Sequence, residues 1–243
     1  MMQEPRLLTN QTPALMAAAP TIPCLDPESL QWRALVLADI PDIGIAADAT
    51  ETARVAAALS ARWGTRLVAT DAWFGPVVSR KALLPKLAEL AAWVAEPHRG
   101  VWIYKNGHGN DCPRAAASGG GLEDMWCLWG GGTLHADELS AAFAATHAAS
   151  ALVVVSDNCS SGTMLRGPGM WASIGACTDT QDALADCDGG VFTEEALLPV
   201  LEGSRDLRSL RAVFDAACAR IDLPTSTPQL HAGTIALLDV MLL

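Results

Sequence analysis

The sequence has no run of about 18 apolar residues, so we expect no membrane-spanning segment and no membrane partner. Basic residues are few: 16 Lys and Arg stand against 27 Asp and Glu, for a formal net charge of −11. Nucleic acid is not an expected partner, because phosphate binding needs a basic face. The glycine triplets at 119–121 and 130–132 lack the strand-to-helix setting of a dinucleotide or phosphate loop. The acidity would suit a basic peptide substrate.

The seven cysteines are odd in number, and polar residues 9–13 interrupt any apolar core that a secretion signal would need. We therefore expect free thiols in a reducing, intracellular and cytoplasmic setting. Cys112 and Cys127 have no spacing, even with the nearby histidines, that fits a compact zinc site.

The chain is long enough for one sizeable α/β domain, with 243 residues of which 51% are hydrophobic. We interpret residues 1–28 as an irregular lead-in and residues 29–243 as the single domain. Strand patterns alternate with helical ones, which predicts a mostly parallel sheet of about six strands flanked by helices. Strands are predicted at 32–38, 66–70, 101–104, 151–156, 171–176 and 233–240, helices at 48–63, 79–95, 137–148, 192–201 and 207–221, and mostly loop at 107–132.

Two strands are followed by residues that can carry chemistry. A buried run from residue 151 leads into Asp157 and Cys159, and the run from residue 101 leads into His108-Gly109. Parallel strands place their carboxyl ends at one sheet edge, where α/β proteins bind ligands. A thiol becomes a nucleophile as its thiolate, and an imidazole can take its proton. Either residue alone would be an ordinary loop histidine or inert thiol; together they predict a Cys159/His108 dyad.

Six short segments, in the same order, resemble motifs of metacaspases, within the caspase-like clan of cysteine peptidases. The resemblance runs from about residue 32 to the C-terminus, and the spacing of 51 residues from histidine to cysteine also suits caspases. The segments are Ala46-Ala-Asp48-Ala49, Asn106-Gly-His108-Gly109, Asp157-Asn-Cys159-Ser-Ser-Gly162, Cys177-Thr-Asp-Thr-Gln181, Gly190-Val-Phe-Thr193 and Thr227-Pro-Gln-Leu230.

The resemblance implies a caspase/haemoglobinase fold and an endopeptidase that cuts peptide or protein substrates after Arg or Lys. By position, Asp48 and Asp157 match acids of the pocket for the residue before the cut (the P1 residue), and Asn106 replaces a serine on its wall. Asp186 matches a further acid if one extra residue is allowed. The alternative for Asp48 is a helix N-cap.

The backbone N–H groups of Gly109 and Cys159 are the expected oxyanion hole, which stabilises the tetrahedral intermediate. Glycine at position 109 would let the backbone come close to the substrate.

Several positions depart from the metacaspase pattern. Ser160 replaces the histidine that usually follows the nucleophile. Asp137, with Glu123 or Asp124, approximates calcium positions of the family, but Arg166 stands where the family has an acid. A cation in a calcium site is close to disqualifying. We therefore expect no metal or other cofactor, and weak or absent calcium dependence; solvated loop and cap positions are the favoured alternative for these acids.

The connection from 162 to 170 is short compared with the cleavable linker of caspases. It would join a large-subunit-like part, about 29–165, to a small-subunit-like part, about 170–243, in an enzyme that is active uncut. Arg166 precedes Gly167-Pro168 and could be a self-cleavage site, although a plain loop arginine is the favoured alternative. The resemblance also favours a monomer.

Two rival functions remain open. The same fold could act as a catalytically silent interaction scaffold, although both dyad residues are present. A peptidase of the same clan could instead prefer Asn or Asp, but Asp48 and Asp157 would repel an acidic side chain.

Overall fold

The computed structural model describes residues 25–39, 45–113, 122–185, 189–203, 206–207, 209–221, 226–234 and 236–239. Most of the expected lead-in lies outside these residues. The strands are β1 (Gln31–Asp39), β2 (Leu67–Phe74), β3 (Arg99–Gly107), β4 (Gly109–Pro113), β5 (Leu122–Leu128), β6 (Gly132–His135), β7 (Ala151–Asp157), β8 (Trp171–Gly175) and β9 (Gln229–Ala232). The helices are α1 (Ile45–Trp63), α2 (Arg80–Val94), α3 (Ala136–Ala142), α4 (Leu198–Gly203), α5 (Leu210–Cys218) and α6 (Ala236–Asp239), and a π-helical turn, Phe192–Leu197, leads into α4.

The central sheet has six strands in the order β2-β1-β3-β7-β8-β9. The first five are parallel, and β9 runs antiparallel to β8. This confirms the prediction of a mostly parallel sheet of about six strands. None of the helices in the described part of the chain is long and apolar enough to cross a bilayer.

Both faces of the sheet are covered, which explains why its middle strands are apolar throughout. Strand β7 is buried at every residue, with Val153 and Val155 on one face and Leu152 and Val154 on the other. Helices α1, α4 and α5 pack on the first face, and α2 and α3 pack on the second.

Three tryptophans form the centre of the first face. Trp32 stacks on Trp63 with ring centroids 4.5 Å apart, and Trp102 meets Trp63 edge-on at 5.7 Å. Because aromatic rings bury large apolar areas, this cluster ties α1 to the strands β1 and β3.

Two parts of the sequence prediction are wrong. The region predicted as loop, 107–132, contains β4 and β5 and ends where β6 begins, and these three strands form a separate antiparallel sheet. Gly130 and Gly131 have φ of 79° and 82°, so they allow the tight turn between β5 and β6. The strand predicted at 233–240 is also misplaced: the edge strand is β9, and Leu237 and Leu238 belong to the short helix α6 and enter the core.

Replacing Trp63 by alanine should lower the free energy of unfolding by about 3–5 kcal/mol, because it removes the ring on which the other two pack. Chemical denaturation followed by circular dichroism would measure the change. Val77→Ala is the control, since this side chain is 53% exposed and should have little effect. A Trp63→Ala variant as stable as the unmodified chain would contradict the role of the cluster.

Candidate active site

The pairing of β3 with β7 determines where the two dyad candidates lie. Asn106 is opposite Asp157 in this parallel register. His108 and Cys159 each follow two residues later, so both leave the carboxyl edge of adjacent strands. The His108 side chain is exposed, and that of Cys159 is partly buried. The structure thus brings the segments of both residues to one edge of the sheet.

The two segments touch through their backbones. A Cβ atom built on Gly109 would clash with the carbonyl oxygen of Cys159 and with the amide of Asn158, which itself donates to that carbonyl at 2.8 Å. Only glycine fits here, which gives the histidine-glycine pair a steric reason. Gly109 and Cys159, the expected oxyanion hole, therefore lie side by side, and their role stays a prediction.

The surroundings of the Cys159 side chain favour the protonated thiol. Its Sγ lies 4.0 Å from the carbonyl oxygen of Ala183. Burial is the main cause that raises the pKa of Cys159 to about 11. The Ala183 backbone lowers this pKa, and the charge of Asp182 raises it. A positive φ of 51° at Ser160 turns the chain immediately afterwards, and the Ser160 N–H donates to Gln181 at 2.9 Å. The thiol needs a base to become a nucleophile at neutral pH.

Asp157, the acid two residues before Cys159, is buried with 2% exposure. Its Oδ2 accepts hydrogen bonds from the Thr193 backbone at 2.9 Å and the Thr193 hydroxyl at 2.7 Å. Its Oδ1 is buried and has no hydrogen-bond partner among the described residues. Burial raises the pKa of Asp157 to about 6, although the bonds from Thr193 lower it.

Glu51 on α1 is a second buried acid in this compartment, and the sequence analysis missed it. Asn106 donates to both of its carboxylate oxygens, at 2.7 and 2.6 Å. The Tyr104 hydroxyl and the Gly190 N–H also donate to it, the latter at 3.1 Å. Burial is the main cause that raises the pKa of Glu51 to about 7, and the charge of Asp157 adds to it.

The predicted pocket acids have different outcomes. Asp48 lies inside α1, so the alternative in which it caps the helix is wrong. Glu51 comes three residues later, a spacing that puts two side chains on neighbouring positions of one helix face. That spacing is the signal that could have found it. Asp186 lies outside the described residues. Asn106 and Asp157 lie on adjacent strands, as the pocket prediction requires.

His108 lines a cavity of about 180 Å³ together with Asp39 and Trp129. Asp39, at the end of β1, is buried in an ion pair with Lys105. Burial raises the pKa of Asp39, while the charges of Lys105 and His108 lower it. Neither Asp39 nor Lys105 was singled out from the sequence.

The region compared with a calcium site is held by hydrogen bonds within the chain. Asp124 is buried, and its Oδ2 accepts from the N–H of Thr163 at 2.7 Å. The guanidinium of Arg166 donates to the Thr163 carbonyl at 3.3 Å and to its hydroxyl at 3.1 Å. Asp137 lies in the first turn of α3, and the Glu123 side chain is not described. In the described residues, no group of three or more His, Cys, Asp and Glu is arranged to hold a metal ion.

No protein-family model and no curated protein matches this chain. Solved structures do. Protein GSU0716 from Geobacter sulfurreducens has a TM-score of 0.66 at 20% identity, over 86% of this chain and 96% of that one. Caspase-1 from Spodoptera frugiperda has a TM-score of 0.57 at 12% identity, over 84% of this chain and 87% of that one. At these identities the likeness shows the fold: this chain has a caspase-like α/β fold.

The buried acids should make the protein less stable as pH rises. Glu51 has a raised pKa in the folded state, so its contribution to stability is full below about 4.5 and is lost as pH rises through about 7. Glu51→Gln should therefore reduce the difference in unfolding free energy between pH 5 and pH 8 by roughly 2–3 kcal/mol. Urea titrations at the two pH values would measure it. The exposed Glu195→Gln serves as control, and an unchanged pH dependence in Glu51→Gln would contradict the prediction.

Gly109→Ala should displace either β4 or the Cys159 turn, because the added methyl group has no space. We expect a loss of a few kcal/mol in unfolding free energy, similar to other overpacked sites. Gly130→Ala is a useful comparison, since nothing lies within 4 Å of its Cβ position and only its positive φ resists the change. Equal stability of Gly109→Ala and the unmodified chain would contradict the close approach.

Proposed function

We propose that this chain is a cysteine endopeptidase that cleaves peptide bonds after Arg or Lys, with Cys159 as nucleophile and His108 as base. The observation that carries the proposal is the β3–β7 register, which puts both residues at one sheet edge of a caspase-like fold. The six metacaspase-like motifs favour the same reaction. Two buried carboxyl groups, Asp157 at the end of β7 and Glu51 against Asn106 of β3, favour a cationic P1 side chain, because a buried cation needs an acidic partner.

In the proposed reaction, the imidazole of His108 takes the proton of the Cys159 thiol as the thiolate attacks the scissile carbonyl carbon. The oxygen of the tetrahedral intermediate accepts hydrogen bonds from the backbone at Gly109 and Cys159. The imidazolium then gives its proton to the leaving amine, and a thioester remains on Cys159. Water activated by His108 hydrolyses the thioester and restores the thiol.

The raised pKa of the Cys159 thiol has a consequence for this reaction. Because burial raises that pKa to about 11, we propose that the proton moves to His108 once the substrate is bound. Catalytic hydrogen bonds are often long in the free enzyme and tighten in the complex. A neutral thiol-alkylating reagent should therefore react slowly with the free protein near neutral pH.

The same observation favours a second candidate function, a catalytically silent scaffold. A cysteine without a catalytic role could equally have a partly buried thiol beside a backbone carbonyl, as Cys159 has beside Ala183. Under this alternative the caspase-like fold would serve as an interaction domain.

Hydrolysis of fluorogenic peptides with Arg, Lys, Asp or Asn at P1 separates the two. We expect cleavage after Arg and Lys, and a fall in kcat/KM of at least about 10³-fold in Cys159→Ala and in His108→Ala. Cys218→Ala, another partly buried thiol, should leave the rate unchanged. Cleavage after Asp or Asn alone would contradict the specificity. No cleavage by folded protein would favour the scaffold.

The same assay, run with calcium and with a chelator, tests the proposal that activity does not need calcium. Equal rates are expected, since Arg166 stands at a position where a calcium ligand would be needed.

Mass spectrometry of the active protein tests the proposal that the chain is active uncut. Full activity only after cleavage at Arg166 would contradict that proposal. Sedimentation of the same sample tests the proposed monomer.

A further inference from the structure

The compartment formed by Glu51, Asp157 and the residues that donate to them contains two carboxyl groups and, among the described residues, no cation that pairs with either of them. Glu51 is 1% exposed and Asp157 is 2% exposed. Asp39, a buried acid at the same edge of the sheet, differs in this respect because it forms an ion pair with the buried Lys105. A folded chain has reason to neutralise buried acids in this way, because an unpaired buried charge is costly.

The two acids are instead held in place by neutral donors. Asn106, Tyr104 and Gly190 donate to Glu51, and Thr193 donates twice to Asp157. These donors fix the orientation of both carboxyl groups without cancelling their charge.

Among the described residues, no donor reaches the buried Asp157 Oδ1, and an unpaired buried acceptor lowers stability. A donor carried by a bound cation would pair with this oxygen.

Two glycines lie against the two carboxyl groups. A Cβ atom on Gly189 would clash with Glu51, and one on Gly190 would clash with Asp157. Gly189 has a φ of 144°, a conformation that other residues rarely adopt. These two glycines bring backbone, instead of side chains, against both acids.

We propose that Glu51 is a second specificity-determining carboxylate of the P1 pocket, and that a cationic side chain enters in exchange for a proton that Glu51 and Asp157 hold. The inference rests on the proposed function and gives its pocket a residue that the motif resemblance does not supply. The exchange is balanced: the free pair holds a proton, the bound pair is fully ionised against the cation, and the proton goes to solvent.

The pH range of this exchange depends on the groups around Glu51 and Asp157. Among these groups, Tyr104 and Asn106 on β3 and Thr193 on the π-helical turn carry no charge between pH 5 and pH 8. Glu194, which is paired with Arg54 on α1, is a nearby charge among the described residues and raises the pKa of Asp157 further.

With pKa values of about 7 for Glu51 and about 6 for Asp157, the free pair is partly protonated from pH 5 to 7. Cation binding should therefore release protons in this range and become tighter as pH rises.

The first test uses Cys159→Ala protein, so that no peptide is turned over, and N-acetyl-arginine amide as the probe. Calorimetry at pH 6.5 in buffers of different ionisation enthalpy gives the number of protons released. We expect release of part of a proton per ligand and affinity that rises at least about tenfold from pH 5.5 to pH 8. Binding without proton release would overturn the exchange. No binding at saturating ligand would overturn the pocket itself.

The second test asks whether Glu51 is a recognition residue. Glu51→Gln keeps the size of the side chain and should lower probe affinity at pH 8 by about tenfold or more, with its pH dependence flattened. The matched control is Glu195→Gln, which removes one negative charge from an exposed position nearby. The ratio of kcat/KM for peptides with Arg and with the neutral citrulline at P1 should fall in Glu51→Gln only.

If Glu51→Gln leaves both the probe affinity and the Arg-to-citrulline ratio of kcat/KM unchanged, the inference is overturned. The proposed function is kept in that case as long as the unmodified protein cleaves after Arg. Conversely, unmodified protein that binds the probe with proton release but cleaves no peptide would remove the proposed peptidase and leave the cation site. If Glu51→Gln does not fold, proton release by the Cys159→Ala protein still decides the question.

Discussion

The parallel pairing of β3 with β7 is the interaction on which the rest of the candidate site depends. The register that sets Asn106 against Asp157 also brings the following residues, His108 and Cys159, to the same edge. A slip of one residue would send every side chain of β7 to the opposite face. Burial of that strand on both faces opposes such a slip, since the core on each side is apolar. Hydrophobic packing therefore sets the geometry of the polar groups at the strand ends.

The edge of the sheet shows two solutions to the problem of a buried acid. Asp39 and Lys105 neutralise each other, and this pair supports the backbone around Gly107, next to His108. Glu51 and Asp157 lack a cation among the described residues and keep a raised pKa. The first arrangement neutralises the acid with a cation of the chain, and the second disfavours ionisation of both acids. Sites that perform chemistry or recognition often carry such a cost in stability.

The sequence predicts best where local pattern and tertiary environment agree. The β-branched run of β7 and the glycine at 109 are of this kind, and both were found. Strands β4 and β6 were missed because they are short and begin with glycine, and β5 because it lies between two glycine triplets, so cross-strand pairing defines them. Glu51 was missed because its burial comes from Asn106, which is 55 residues away in the chain. The periodicity of the apolar segment after residue 233 fits either a strand or a helix. It forms the helix α6, in which Leu237 and Leu238 pack into the core.

The hydrogen bond between Glu51 and the Gly190 backbone joins residues that are 139 positions apart. During synthesis the histidine and cysteine segments are therefore made before the backbone that covers the acids. Asp157 likewise waits for Thr193, 36 residues later. A nascent or truncated chain that ends after β8 would hold both dyad candidates but only a half-built recognition compartment. The order of residues along the chain thus delays a complete site until nearly the whole domain has been made.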